Sequence, residues 1–153
     1  MKRTITLWLL VGLAGFALLP WYMTDRGFTS LEWLSDGTPS TGLMLALRGG
    51  HWWLWPPLLA GVAALTAQLT VKAPVLRAKL TMWSAATGLA LTAAQGLNIV
   101  RAGPRLFETV LTGDIVTAGQ AGFGIGAGVY LFALLFVLTV SLSQTGKGQG
   151  DAF

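Results

Sequence analysis

Residues 119–142 read GQAGFGIGAGVYLFALLFVLTVSL and contain no charged side chain. A helix rises about 1.5 Å per residue, so about 20 apolar residues cross a hydrocarbon layer near 30 Å thick. This stretch reaches that length. In lipid its backbone amides and carbonyls find partners only within a helix. The surrounding uncharged run extends from 115 to 146, so only part of it need lie in hydrocarbon.

Three further runs behave in the same way, at 4–24, 49–71 and 80–100. The expected fold is all-α and integral to a membrane. Four transmembrane helices are expected at about 4–24, 52–71, 80–100 and 119–142, as a single domain over 1–153. Short interfacial helices are expected in the outer loops. The composition agrees. Of 153 residues, 54% are hydrophobic and 10% are charged, against about 25% charged in an ordinary soluble domain. Mean hydropathy is +0.65. Too few charges remain to coat a soluble surface, and the chain is too apolar for a disordered arm.

There is no cysteine and there is one histidine, His51. Thiolate catalysis, thiolate metal sites and a multi-histidine metal centre are therefore excluded within the chain. The net charge of +4 is not a nucleic-acid footprint, because the basic residues lie between apolar runs. No Ser/His/Asp set, paired carboxylates or phosphate loop stands out. The reading is therefore not an enzyme, with no catalytic, cofactor-binding or metal residues assigned and no cofactor expected.

Basic residues set the orientation. With four crossings and the N-terminus inside, Lys2, Arg3, Lys72, Arg77, Lys79 and Lys147 fall in the cytoplasm. Arg26, Arg48, Arg101 and Arg105 fall outside. The loop 71–79 holds three basic residues and no acid. The positive-inside rule then places both termini in the cytoplasm, in a multi-pass protein of the bacterial inner membrane. Residues 1–3 and the first run could form a cleaved signal peptide. Apolar character continues past Gly15-Phe16-Ala17 to Trp21 and Tyr22, which favours an uncleaved anchor.

The outer segment 25–50 is the most polar between spans. Ser30 is placed to cap a short helix through Leu34, Asp36-Gly37-Thr38-Pro39 reads as a turn, and 40–47 as a second short helix. After Gly103-Pro104, the residues Leu106, Phe107, Val110 and Leu111 repeat at helical spacing, which predicts an interfacial helix ending near Gly113. The tail from Ser143 is glycine-rich and reads as flexible.

Helix-packing candidates come from small and polar residues inside the spans. Gly122, Gly124, Gly126 and Gly128 form two overlapping Gly-x-x-x-Gly pairs, a spacing that lets helix backbones approach closely. The bland reading is a contact within this chain, and the other is contact with a second subunit. A dinucleotide fingerprint is excluded, since no strand precedes the glycines and no ribose-binding acid follows. Ala60 and Ala64 repeat the small spacing in the second span. Ser84, Thr87, Thr92, Gln95 and Asn98 form a polar stripe in the third, read first as interhelical hydrogen bonding, with a solute path as the other possibility. Trp52, Trp53 and Trp55 read as an interfacial belt, and His51 beside them as structural.

Several short phrases carry a family resemblance. They are Leu19-Pro20-Trp21-Tyr22, Gly27-Phe28, Leu31-Glu32-Trp33-Leu34, Trp52-Trp53 with the following prolines, Ala94-Gln95-Gly96, the glycine run from Gly122, and Gly150-Asp151-Ala152-Phe153. In these the chain resembles the N-terminal part of bacterial iron(III)-type ABC transporter permeases. The resemblance implies a membrane module of an importer, with ferric iron as cargo. Its implied partners are the lipid bilayer, the remainder of the permease, a cytoplasmic ATPase subunit and a periplasmic solute-binding protein. Such permeases dock the ATPase through a Glu-Ala-Ala-rich coupling segment, which this sequence lacks. The expectation is thus the N-terminal part of a longer permease, with no binding residue carried over. The alternative is a free-standing small membrane scaffold or assembly protein.

Overall fold

The computed structural model describes residues 1–23, 41–48, 52–102 and 122–150. Within those segments, side chains are described except at Tyr22, Met23, Arg48, 98–102, Gly122 and 146–150. The fold is all-helical apart from one short strand pair. The elements are α1 (Lys2–Leu18), β1 (Tyr22–Met23), α2 (Gly42–Arg48), a 3-10 turn (Trp52–Leu54), α3 (Trp55–Thr70), α4 (Pro74–Ala102), β2 (Gly122–Phe123) and α5 (Ile125–Gly150).

The four long helices form a ring in which α1 and α4 each pack against both α3 and α5. Neighbours run antiparallel. Gly12 lies against Ala133 and Gly15 against Val129 between α1 and α5. Between α4 and α5, Gly88 lies against Leu134 and Gly96 against Phe123. At one end of the bundle lie the end of α1, the start of α3, the end of α4 and the start of α5. The N-terminus of α1 and the α3–α4 turn lie at the other.

The helix ends have local causes. α1 stops at Leu18 because Leu19 precedes Pro20. A residue before proline is driven from the helical region, and Leu19 is extended at φ −106°, ψ 154°. Pro56 and Pro57 sit in the first turn of α3, where missing amide donors cost least. Pro74 opens α4 for the same reason.

Two boundaries differ from the sequence expectation. The loop expected over 71–79 shrinks to three residues, 71–73, because Pro74 starts α4 and the basic Arg77 and Lys79 are good helix formers. The tail expected to be flexible from Ser143 is helical to Gly150. The Ser143 Oγ donates to the Val140 carbonyl and the Thr145 Oγ1 to the Leu142 carbonyl, so both hydroxyls fold back onto the helix. The expected helix at 40–47 is α2. The Ser30 cap, the turn at 36–39, the helix near 105–113 and His51 lie outside the described residues.

Among the described residues, Ile125–Thr145 is the one helical stretch long and apolar enough on its own to cross a membrane. α1 has 17 residues and α3 has 16, short of the usual span. α4 has 29 but carries Arg77, Lys79 and Arg101.

Candidate functional site

The interior of the ring is the candidate site, and small or polar side chains line it. On α4 the buried positions Ala78, Thr81, Ala85, Gly88, Thr92 and Gln95 recur at steps of three and four, one continuous helix face. α3 turns Ala60, Gly61, Ala64, Ala67 and Gln68 inward. Small residues let the backbones approach closely, so one large side chain can reach every wall.

That side chain is Tyr130 of α5, which is 1% exposed. Its ring meets Phe16 of α1 edge-on at 5.5 Å between centroids and Trp21 at 5.9 Å. Its hydroxyl donates to the Pro57 carbonyl of α3. A methyl group added at Gly61 would lie 2.5 Å from that hydroxyl, and one at Gly88 of α4 would lie 3.7 Å from it. Tyr130 therefore touches all four walls.

Two hydrogen bonds tie α3 to α4, one at each end. The Gln95 amide nitrogen donates to the Trp53 carbonyl at 2.5 Å. The Gln68 amide nitrogen donates to Thr81 Oγ1 at 2.8 Å, fully buried. Thr92 is buried and bonds back to the Gly88 carbonyl at 2.8 Å. Four buried side-chain atoms have no protein hydrogen-bond partner among the described residues: Trp21 Nε1, Gln68 Oε1, Gln95 Oε1 and Ser141 Oγ.

The end of α1 and the start of α5 are laced through the backbone. Tyr22 pairs with Phe123 and Met23 with Gly122 in an antiparallel ladder. The Gly124 amide donates to the Trp21 carbonyl and the Gly126 amide to the Pro20 carbonyl, each at 2.8 Å. A Cβ at Gly124 would collide with the Pro20 carbonyl oxygen. At Gly126 it would lie 2.6 Å from the Leu19 carbonyl oxygen and 2.8 Å from that of Gly15. Glycine is required here because backbone stands where a side chain would go.

The packing candidates thus divide. Gly124 and Gly126 make the close contact, whereas Gly128 faces open space. Gly122 lies in β2 ahead of the helix, so the expected helical pairs of glycines are not the units of contact. Ala64 and Ala60 face inward. Gln95 bonds across to Trp53, and the Asn98 side chain lies outside the described set. Of the polar stripe, Thr92 and Gln95 turn inward, Ser84 is half-buried and Thr87 is exposed.

Tyr130 and Thr81 were not legible as partners from their own segments. The signal that finds Thr81 is the run of small residues at 78, 81, 85, 88, 92 and 95. Tyr130 carries no such signal, since it sits in an unbroken apolar run.

Among the described residues, no group of three His, Cys, Asp or Glu side chains is placed to hold a metal ion. The buried polar side chains are all neutral: Thr41, Gln68, Thr81, Thr92, Gln95 and Ser141. The interior can exchange hydrogen bonds but holds no group there for acid–base or nucleophilic chemistry. Comparison with protein-family models, curated proteins and solved structures returns no match.

Proposed function

We propose that this chain is a membrane-spanning module of a bacterial ABC importer permease for ferric iron, packing beside the translocation core. In this reading α1, α3, α4 and α5 each cross the bilayer. The observation that carries it is a reversal of polarity. Hydroxyls, amides and glycines fill the interior. The outer faces present Leu7 at 60% exposure, Leu59 at 58%, Trp83 at 67% and Phe132 at 59%. Water as solvent would favour the opposite arrangement, while lipid leaves small-residue packing and interhelical hydrogen bonds to hold the bundle. Flanking residues supply the missing length. Trp52–Leu54 runs directly into α3, and Trp21 follows α1 at the level of an interfacial aromatic.

The permease assignment rests on the sequence resemblance. Two of its phrases, Pro20-Trp21 and the glycine run, meet at the α1–α5 contact, which supports reading them as one structural unit. The neutral interior supports a packing role over an ion path. The remainder of the permease, a cytoplasmic ATPase and a periplasmic solute-binding protein are the partners in this reading. Both termini lie in the cytoplasm of an inner-membrane protein.

The test is single-cysteine labelling in intact cells with a reagent that cannot cross the membrane. Gly37→Cys and Gly113→Cys should label and Ala73→Cys should not. The reverse pattern inverts the topology, and recovery of the untagged chain in plain buffer without detergent ends the membrane reading. Iron uptake supported by residues 1–153 alone would refute a module that only packs beside the pathway.

A further inference from the structure

We infer that the start of α4 is a binding site for the headgroup of an anionic phospholipid. The inference rests on the membrane reading above and adds which lipid is selected and where. Leu76, Lys79, Leu80 and Trp83 stand at steps of three, one and three, so they share one face of α4. All four are exposed, with Leu76 at 52%, Leu80 at 42% and Trp83 at 67%. A cation is therefore set directly among apolar side chains on an outward face.

Two more cations stand beside it. Lys72 is exposed in the three-residue turn that precedes α4. Arg77 is half-buried, and its Nη1 donates to the Val71 carbonyl at 3.4 Å, at the C-terminal end of α3. This bond holds the guanidinium at the α3–α4 junction with donors to spare, since the fork carries five.

No acid lies among the described residues to neutralise this cluster. Asp25, Glu32, Asp36, Glu108 and Asp114 belong to segments whose described flanks lie at the opposite end of the bundle, and Asp151 follows the end of α5. Lys2 and Arg3 add positive charge at the same end as the turn.

A phosphodiester with acyl chains matches this surface. The phosphate takes the place between Lys72, Arg77 and Lys79, while an acyl chain runs along Leu76 and Leu80 toward Trp83. Free phosphate would use the cations but leave the apolar face uncovered. A zwitterionic headgroup carries its own cation and gains little from three more. Each basic residue near an anionic surface contributes about 1 kcal/mol, roughly fivefold in binding.

The experiment is native mass spectrometry of the detergent-extracted full chain with phosphatidylglycerol and phosphatidylcholine supplied equally. The expected result is retention of phosphatidylglycerol over phosphatidylcholine by about tenfold or more. Lys72→Gln/Lys79→Gln keeps Arg77 on the Val71 carbonyl, so the fold is retained by circular dichroism, and the preference should fall to within about twofold. Lys2→Gln/Arg3→Gln should leave it in place.

Equal retention of the two lipids by the unaltered chain overturns the inference while leaving the membrane reading intact. An equal loss in the Lys2/Arg3 variant shows bulk charge in place of a site, and also overturns it. Displacement of the lipid by excess inorganic phosphate assigns the cations to a free anion and overturns the lipid assignment. Recovery of the untagged chain in plain buffer removes both readings together.

Discussion

The Tyr130 hydroxyl donates to the Pro57 carbonyl and so joins α5 to α3 across the centre of the ring. Tyr130→Phe keeps the ring and deletes the bond. Interhelical bonds of this kind contribute about 0.6–2 kcal/mol. The variant should unfold at a lower temperature in detergent by that amount. Tyr130→Ala also removes the contacts with Phe16 and Trp21 and should cost about 3–5 kcal/mol. Equal stability of the two variants would show that the ring does not fill the core.

Gly61 gives a second handle on the same atom. An added methyl would lie 2.5 Å from the Tyr130 hydroxyl and 3.2 Å from its ring. Gly61→Ala should therefore destabilise by about 1–3 kcal/mol. Combined with Tyr130→Phe, which withdraws the hydroxyl, it should cost less than the sum of the two changes. Strict additivity in thermal unfolding would place the two residues apart.

Gly126 and Gly128 predict opposite signs. Backbone carbonyls of Leu19 and Gly15 stand where a Cβ at Gly126 would go, and backbone cannot swing aside as a side chain can. Gly126→Ala should destabilise by about 3 kcal/mol or more. Gly128 has nothing within 4 Å of its Cβ position. Gly128→Ala should be neutral or stabilise by up to about 1 kcal/mol through helix propensity. Thermal unfolding of the full chain checks both, and a large cost at Gly128 would mean that a second chain covers it.

Those glycines also show how far sequence reading reached. All four long helices were legible, because each sits on an uncharged run and charged or turn residues interrupt the chain between them. Their ends were less so. Lys2, Arg77 and Lys79 looked like loop by charge, yet helix continues through them, since charge marks a solvent boundary and not a break in hydrogen bonding. The glycine run looked like a helical repeat, but β1 holds Gly122 in a strand pair, and that pairing depends on residues 100 positions apart. Gln95 was legible as interhelical glue by its type alone. Its acceptor, the Trp53 carbonyl, was not, because every residue offers a carbonyl.

Ser141 is fully buried on α5, and its hydroxyl has no protein partner among the described residues. A buried polar group left unpaired costs about 1–3 kcal/mol. Ser141→Ala removes the group with little change in volume. The variant should be as stable as the unaltered chain or more so, read by thermal unfolding in detergent. A clear loss of stability would mean that the hydroxyl is engaged.

Gln68 and Thr81 form the buried bond that closes the α3–α4 pair at the end opposite Gln95. Thr81→Val keeps the shape and deletes the acceptor, leaving the Gln68 amide nitrogen unpaired in addition to its oxygen. This single change should cost about 1–2 kcal/mol. Gln68→Leu strands the Thr81 hydroxyl in turn, although that group can still bond back along α4, so its cost should be smaller. With both changes no polar atom of the pair remains buried, and the doubly altered chain should be more stable than the sum of the two losses predicts, by about 0.6–1.7 kcal/mol. The double-mutant cycle separates this contact from the packing around it. A coupling energy near zero would mean that the two side chains do not meet, and the antiparallel register of α3 against α4 would have to shift.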